Sequence, residues 1–134
     1  MLNEEAPLFA NSGASSLSKV SIESNSVFET VEVGNGPQNL IEHEGKIYVS
    51  RTFYDENWNA IHGSSKIDNG EVTINNYGTG VVCGGSVLSF NGSVYRSFSG
   101  GISPLNEDLS LNESADSFKL KSSLRGDIPP ENDL

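Results

Sequence analysis

Asp55, Asn57 and Asn59, in the segment DENWNA, alternate as oxygen donors at the spacing that opens a calcium-binding loop. The rest of such a loop is missing. Ala60 stands where the sharp turn needs glycine, and Lys66 where a bidentate glutamate belongs. An EF-hand is therefore excluded, and a plain exposed polar turn is preferred over a looser site built from the three oxygens. Gly78 and Gly80, in YGTGVVCGG, begin a phosphate cradle of the G-x-G-x-x-G kind. Cys83 takes the place of its third glycine and no helix pattern follows, so no helix dipole would hold a phosphate there. His43 and His62 are the two histidines, and neither has further ligands at a metal-binding spacing. Acidic pairs stand at Glu4–Glu5, Glu42 and Glu44, Asp55–Glu56, and Glu107–Asp108. Glycoside hydrolysis needs two carboxyl groups facing across a sugar, one of them with a raised pKa, and nothing in the spacing supplies that. No serine occupies a G-x-S-x-G elbow. The expectation is a chain with no catalytic residue, no cofactor and no metal.

Aromatic side chains offer a different chemistry. FYDENW groups Phe53, Tyr54 and Trp58, the last being the one tryptophan in the chain. Tryptophan, tyrosine and arginine dominate binding hot spots, and loops carry function more often than strands do. Arg51 lies close by, and Arg96 falls near the equivalent place in a second copy described below. Arg51, Phe53, Tyr54, Asp55, Asn57, Trp58 and Arg96 thus form a candidate contact patch for a partner subunit or a sugar face. Packing of Phe53 and Trp58 beneath their own loop is the competing explanation, and the sequence leans towards it.

Charge narrows the partners. The formal net charge is −10, and the 8 Lys and Arg residues are scattered apart from Lys119, Lys121 and Arg125. A phosphate backbone needs a basic stripe, so nucleic acid is not expected, nor is an anionic membrane surface. No apolar run approaches the roughly 20 residues that span a bilayer. MLNEEAPLFANSGASS has neither the basic start nor the apolar run of a signal peptide. Cys83 is the single cysteine, so no internal disulfide forms, and its small apolar neighbours suggest an inert buried thiol. Asn91 and Asn112 head glycosylation-type triplets, which arise by chance in a chain rich in Asn and Ser.

The elements that must position these groups read as strands. Helical periodicity is absent, and short alternating runs recur at about 8–12-residue spacing. They are LSKVSIES, VFETVEV, NLIEHE, KIYVSRTF, SSKID, EVTINNY, SVLSF, SVYRSFS, DLSL and SFKL. EGK at 44–46 and NGS at 91–93 read as tight turns with glycine at positive φ, DNGE at 68–71 reads as a two-residue Asn-Gly hairpin turn, and ESNS at 23–26 does similar work. The longest interruption is YDENWNAIHG, 54–63. Residues 1–14 read as a polar N-terminal arm, 15–122 as an all-β repeat domain and 123–134 as an acidic C-terminal tail.

HEGKIYVS and FNGSVYRS state one strand twice, placing Tyr48 and Tyr95 47 residues apart. The same shift carries Leu40 onto Val87, Ile41 onto Leu88, Ile47 onto Val94 and Ser50 onto Ser97. It also carries Ser18, Lys19 and Val20 onto Ser65, Lys66 and Ile67. A fixed period in the forties with four short strands marks a β-propeller blade. The two tyrosines are read as structural. VGNGPQNLIEHEGKIYVS, 33–50, resembles the repeat of the YVTN-type β-propellers, and SKIDNGEV resembles the strand that follows it. FNGSVY is similar to Kelch-like repeats. That resemblance implies about two and a half blade-like units of four antiparallel strands; a β-sandwich or barrel is the alternative, with no significant helix in either.

Complete propellers close with 4 to 8 blades. A shorter stack leaves apolar faces and strand edges open, to be covered by copies, by a larger partner, or by folding as one sandwich. The expected function is a non-catalytic structural or binding module in a homo-oligomer or larger assembly, as a surface, decoration or accessory subunit, such as that of a virus-like particle. An extracytoplasmic surface or virion is favoured over the cytoplasm. A propeller-type lectin, binding glycans through its aromatic loops, is the first alternative, and a fragment of a propeller glycoside-active enzyme the second.

Overall fold

A computed structural model describes residues 6–78, 86–98, 101–112 and 118–119. Among them the chain is all-β, with eleven strands in three antiparallel sheets and no helix. The first sheet runs β1 (Leu8–Ala10), β2 (Ser16–Ser21) and β3 (Ser26–Glu32). A second takes β4 (Pro37–His43), β5 (Lys46–Tyr54), β6 (Ala60–Asp68) and β7 (Glu71–Gly78), in chain order. The third takes β8 (Val87–Phe90), β9 (Ser93–Phe98), β10 (Gly101–Pro104) and the two-residue β11 (Phe118–Lys119).

Turn chemistry explains the meanders. Glu44-Gly45, Asn69-Gly70 and Asn91-Gly92 each have φ between 53° and 85° at both central positions. That is the type I′ pattern, whose twist matches paired strands. Both segments that carry the repeat close on it, so His43 pairs with Lys46 as Phe90 pairs with Ser93. Tyr48 faces Ile41 across β4–β5, and Tyr95 faces Leu88 across β8–β9.

Alternation then decides which side of the second sheet meets which neighbour. Leu40, Ile47, Val49 and Ile67 point one way and meet Leu8, Ala10, Leu17, Val31 and Val33 of the first sheet and its exit strand. This apolar layer is the hydrophobic core, with Leu17, Val33 and Val49 fully buried. On the opposite side lie Asn39, His43 and Ser64, whose partners belong to the third sheet. Asn39 Oδ1 accepts from the Val87 N–H at 3.1 Å, and His43 Nδ1 meets Ser89 Oγ at 2.6 Å. The second sheet is thus the middle layer, apolar towards the first and polar towards the third.

Three expectations change. Leu8–Ala10, inside the stretch read as an arm, forms β1, because Leu8 and Ala10 bury against the core while Phe9 points away. The long interruption shrinks to residues 55–59, since β6 begins at Ala60 and pairs it with Tyr54. DLSL is not a strand. Asn106–Ser110 closes a turn with Leu109 at φ 72° and fully buried, and β10 forms earlier, at Gly101–Pro104. Alternating Leu109 and Leu111 looked like a strand, but Leu109 is a plug pressed onto the second sheet. Cys83, Gly80 and the acidic tail lie outside the described residues.

Candidate functional site

The aromatic segment emerges at one end of β5. The β5–β6 connection turns at Asp55, whose Oδ1 accepts the backbone N–H groups of Asn57 (2.8 Å) and Asn59 (2.9 Å). Asn59 Nδ2 donates to the other carboxylate oxygen at 3.2 Å. These hydrogen bonds, that from the Asn59 backbone foremost, hold the Asp55 carboxyl below the usual carboxylate range. Both Asp55 oxygens are therefore engaged in shaping the turn. Among the described residues no group of three His, Cys, Asp or Glu side chains could hold a metal.

That turn sets Trp58 at φ 63° with 81% of its surface exposed. A large aromatic residue in the left-handed region is unusual and strained. Its ring lies 6.1 Å from that of Tyr54, itself exposed. Trp58 therefore does not pack beneath its own loop, whereas Phe53 is half-buried and sits 5.7 Å from the Arg51 guanidinium.

Beside these rings a cleft of about 530 Å³ opens between the ends of the first two sheets. Phe53 and Tyr54 line it from opposite faces of β5, Tyr54 being the exposed ring, and Ser12, Asn35 and Gln38 line it with polar residues. Its base is stitched by backbone. Gly36 N–H donates to Ala14 O, and Thr52 N–H donates to Gly36 O, each at 2.9 Å. A Cβ at Gly36 would sit 1.8 Å from the Thr52 carbonyl oxygen, so only glycine lets the two strands meet there.

Arg51 and Arg96 are not part of this surface. Both are almost wholly buried, at 1% and 0% exposure, and they grip Gly63–Ser64 of β6 from opposite sides. Arg51 donates from Nε to Ser65 Oγ at 2.7 Å, and from Nη1 to Asn35 O at 3.2 Å. Its Nη2 reaches Asn76 Oδ1 at 2.5 Å and the carbonyls of Asn75 (3.3 Å) and Ser64 (3.4 Å). Room for this fork exists because residue 63 is glycine: a Cβ there would stand 2.5 Å from Nη2. Burial lowers the pKa of Arg51, Tyr77 works against that, and Arg96 adds to it.

Arg96, from β9, donates from Nε to Ser64 Oγ at 3.0 Å and from Nη2 to Gly63 O at 3.1 Å. Tyr77 extends the chain of bonds. The Leu109 carbonyl, 2.6 Å away, can only accept, so Tyr77 spends its proton there, and Ser64 Oγ at 2.9 Å donates to the phenol oxygen. Burial pushes the Tyr77 pKa up. Lys66 completes the seam by donating to the Glu107 carbonyl at 2.8 Å. Arginine in this setting is a multi-point donor between sheets, a role that one sequence cannot distinguish from a surface hot spot.

Other groups with chemical potential are engaged structurally. His62 is buried, with Nδ1 3.1 Å from Thr52 Oγ1. Burial and then the Arg96 charge lower its pKa, favouring the neutral ring. Asp108 Oδ1 accepts from Ser110 N and Oγ, which holds its carboxyl low. A glycosidase acid needs the opposite shift. Tyr48 packs edge-on to His43 at 6.3 Å, and Tyr95 to Phe90 at 6.1 Å. Asn91 occupies its turn, as its φ of 54° requires.

Sequence reading missed the seam of Ser64, Ser65, Tyr77 and Leu109, and it missed Asn35 and Gln38 at the cleft. The one local signal was Gly63, a glycine inside an alternating run, which marks a close approach. Compared with known proteins, the chain matches no family model, no curated protein and no solved structure.

Proposed function

We propose that this chain is a non-catalytic structural and binding module whose sheets are blade-like units of a propeller-like stack, completed by copies of itself or by a protein partner. One observation carries the reading. The 47-residue shift takes Ile41 and His43, on the face of the second sheet that receives the third, onto Leu88 and Phe90. Phe90 is 54% exposed and Leu88 also stands open. The third sheet thus repeats a receiving face with nothing described upon it at those two positions. At the other end of the stack, Phe9 points away from the core, and Val27 and Phe28 are exposed on β3, one of the two edge strands of the first sheet. Exposed apolar groups on an edge strand invite pairing with another chain. Two different open ends make a head-to-tail contact, which closes into a ring or grows. An accessory or decoration subunit of a larger particle would use the faces in this way.

Light scattering over a dilution series tests this, together with native mass measurement. A multiple of 14.3 kDa is expected, or a complex with a protein partner, and Phe28→Asp or Phe90→Asp should reduce it to one chain. A folded monomer that persists at high concentration and recruits no partner would overturn the reading.

A further inference from the structure

We infer that the cleft between the ends of the first two sheets is a binding site for a neutral pyranose sugar, with the exposed Tyr54 as its stacking ring and Asn35, Gln38 and Ser12 as its hydroxyl-reading groups. This site is separate from the open sheet faces and does not depend on assembly.

Size is the first argument. About 530 Å³ falls within the range of small-ligand clefts. Preorganisation is the second. The base is fixed by the backbone bonds from Ala14 through Gly36 to Thr52, and Arg51 pins the Asn35 carbonyl from beneath at 3.2 Å. A site that is already rigid gives up little conformational freedom on binding. Chemistry is the third. The side-chain amides of Asn35 and Gln38 and the hydroxyl of Ser12 make no hydrogen bond among the described residues, and all three residues are exposed. An amide offers two donors and an acceptor at a spacing that engages paired hydroxyls.

A pyranose presents an apolar C–H face to an aromatic ring and hydroxyls around its edge, which matches the exposed Tyr54 ring and two amides lining one cleft. Charge selects among sugars. Among the described residues no Asp, Glu, Lys, Arg or His lines the cleft, and the chain carries −10, so sialylated or sulfated glycans are disfavoured. Beside Tyr54, Trp58 extends the aromatic surface with a second exposed ring 6.1 Å away. A disaccharide reaching that far would bind better than a monosaccharide.

Trp58 is the single tryptophan and stands beside Tyr54, so its emission follows a sugar seated on that ring. The full chain is titrated with methyl glucoside, methyl galactoside and methyl mannoside, and with maltose, cellobiose and lactose. Saturation-transfer NMR reads the sugar side. At least one sugar should bind at millimolar concentration, with ring C–H protons receiving most of the transfer. Tyr54→Ala should weaken it about tenfold and Gln38→Ala about fivefold, consistent with one stacking contact and one neutral hydrogen bond. Ile74→Ser, on exposed β7, should change nothing. The inference is overturned if no sugar responds, if Tyr54→Ala and Gln38→Ala bind as tightly as the parent, or if the cleft takes a proline-rich peptide and ignores every sugar.

Discussion

Removing Arg51 should open the seam between β5, β6 and β7. Its guanidinium makes five hydrogen bonds, three to backbone carbonyls and two to side chains, and none goes to a carboxylate. Arg51→Ala strands those acceptors in a dry interior and leaves a cavity beside Phe53. The variant also relieves the cost of burying a charge, so the bonds do not simply add. A net loss of about 3 kcal/mol is the working figure. With a urea slope of about 2 kcal/mol per molar, the unfolding midpoint falls by about 1.5 M. The far-ultraviolet circular dichroism of the sheets is the right probe, because Trp58 is already 81% exposed and changes little on unfolding.

Gly63→Ala provides the internal check. Its Cβ would meet Arg51 Nη2 at 2.5 Å and the Asn75 carbonyl oxygen at 2.7 Å. The second clash is with backbone and persists whatever occupies position 51. Gly63→Ala alone should therefore cost about 2–3 kcal/mol, and about 1 kcal/mol less once Arg51 is already alanine. Loss of less than about 0.5 M in midpoint for Arg51→Ala would refute the role given to the guanidinium. Strict additivity of the two substitutions, within about 0.5 kcal/mol, would refute the steric reason given for the glycine.

Acid should weaken the fold through His62. Its folded pKa lies below the ordinary value of 6.5, so the folded state binds fewer protons than the unfolded one. The stabilisation is present above about 6.5 and fades as pH falls through the lowered folded value, and His62→Gln should flatten that decline in a series of thermal melts. Asp55→Ala should free the aromatic turn without unfolding the sheets. Amide exchange at Asn57 and Asn59, whose N–H groups the carboxylate holds, should rise about tenfold while the thermal midpoint stays nearly constant; unchanged exchange would mean that the turn does not depend on Asp55.

Much of the local structure was legible because its causes are local. Gly45, Gly70 and Gly92 marked tight turns, which the structure closes as type I′, since a positive φ is a demand that a residue and its neighbour meet by themselves. Between those turns, Leu40, Ile47, Val49 and Ile67 alternate with polar groups, which fixed both the strands and the apolar side of the second sheet. DLSL shows the limit of this logic. Four residues of alternation suit a strand or a buried plug equally, and the docking of Leu109 against Tyr77 chose the plug.

Sequence alone therefore settled the all-β class, the hairpins and the 47-residue recurrence, because turn sterics and the two-residue pleat act over a few neighbours. Tertiary structure decided that Arg51 and Arg96 are interior clamps while Trp58 stands in solvent. It also decided that Asn35 and Gln38 line the same cleft as Tyr54. Those outcomes depend on which faces pack together. A charged or aromatic side chain reads the same in sequence whether a second sheet covers it or water does.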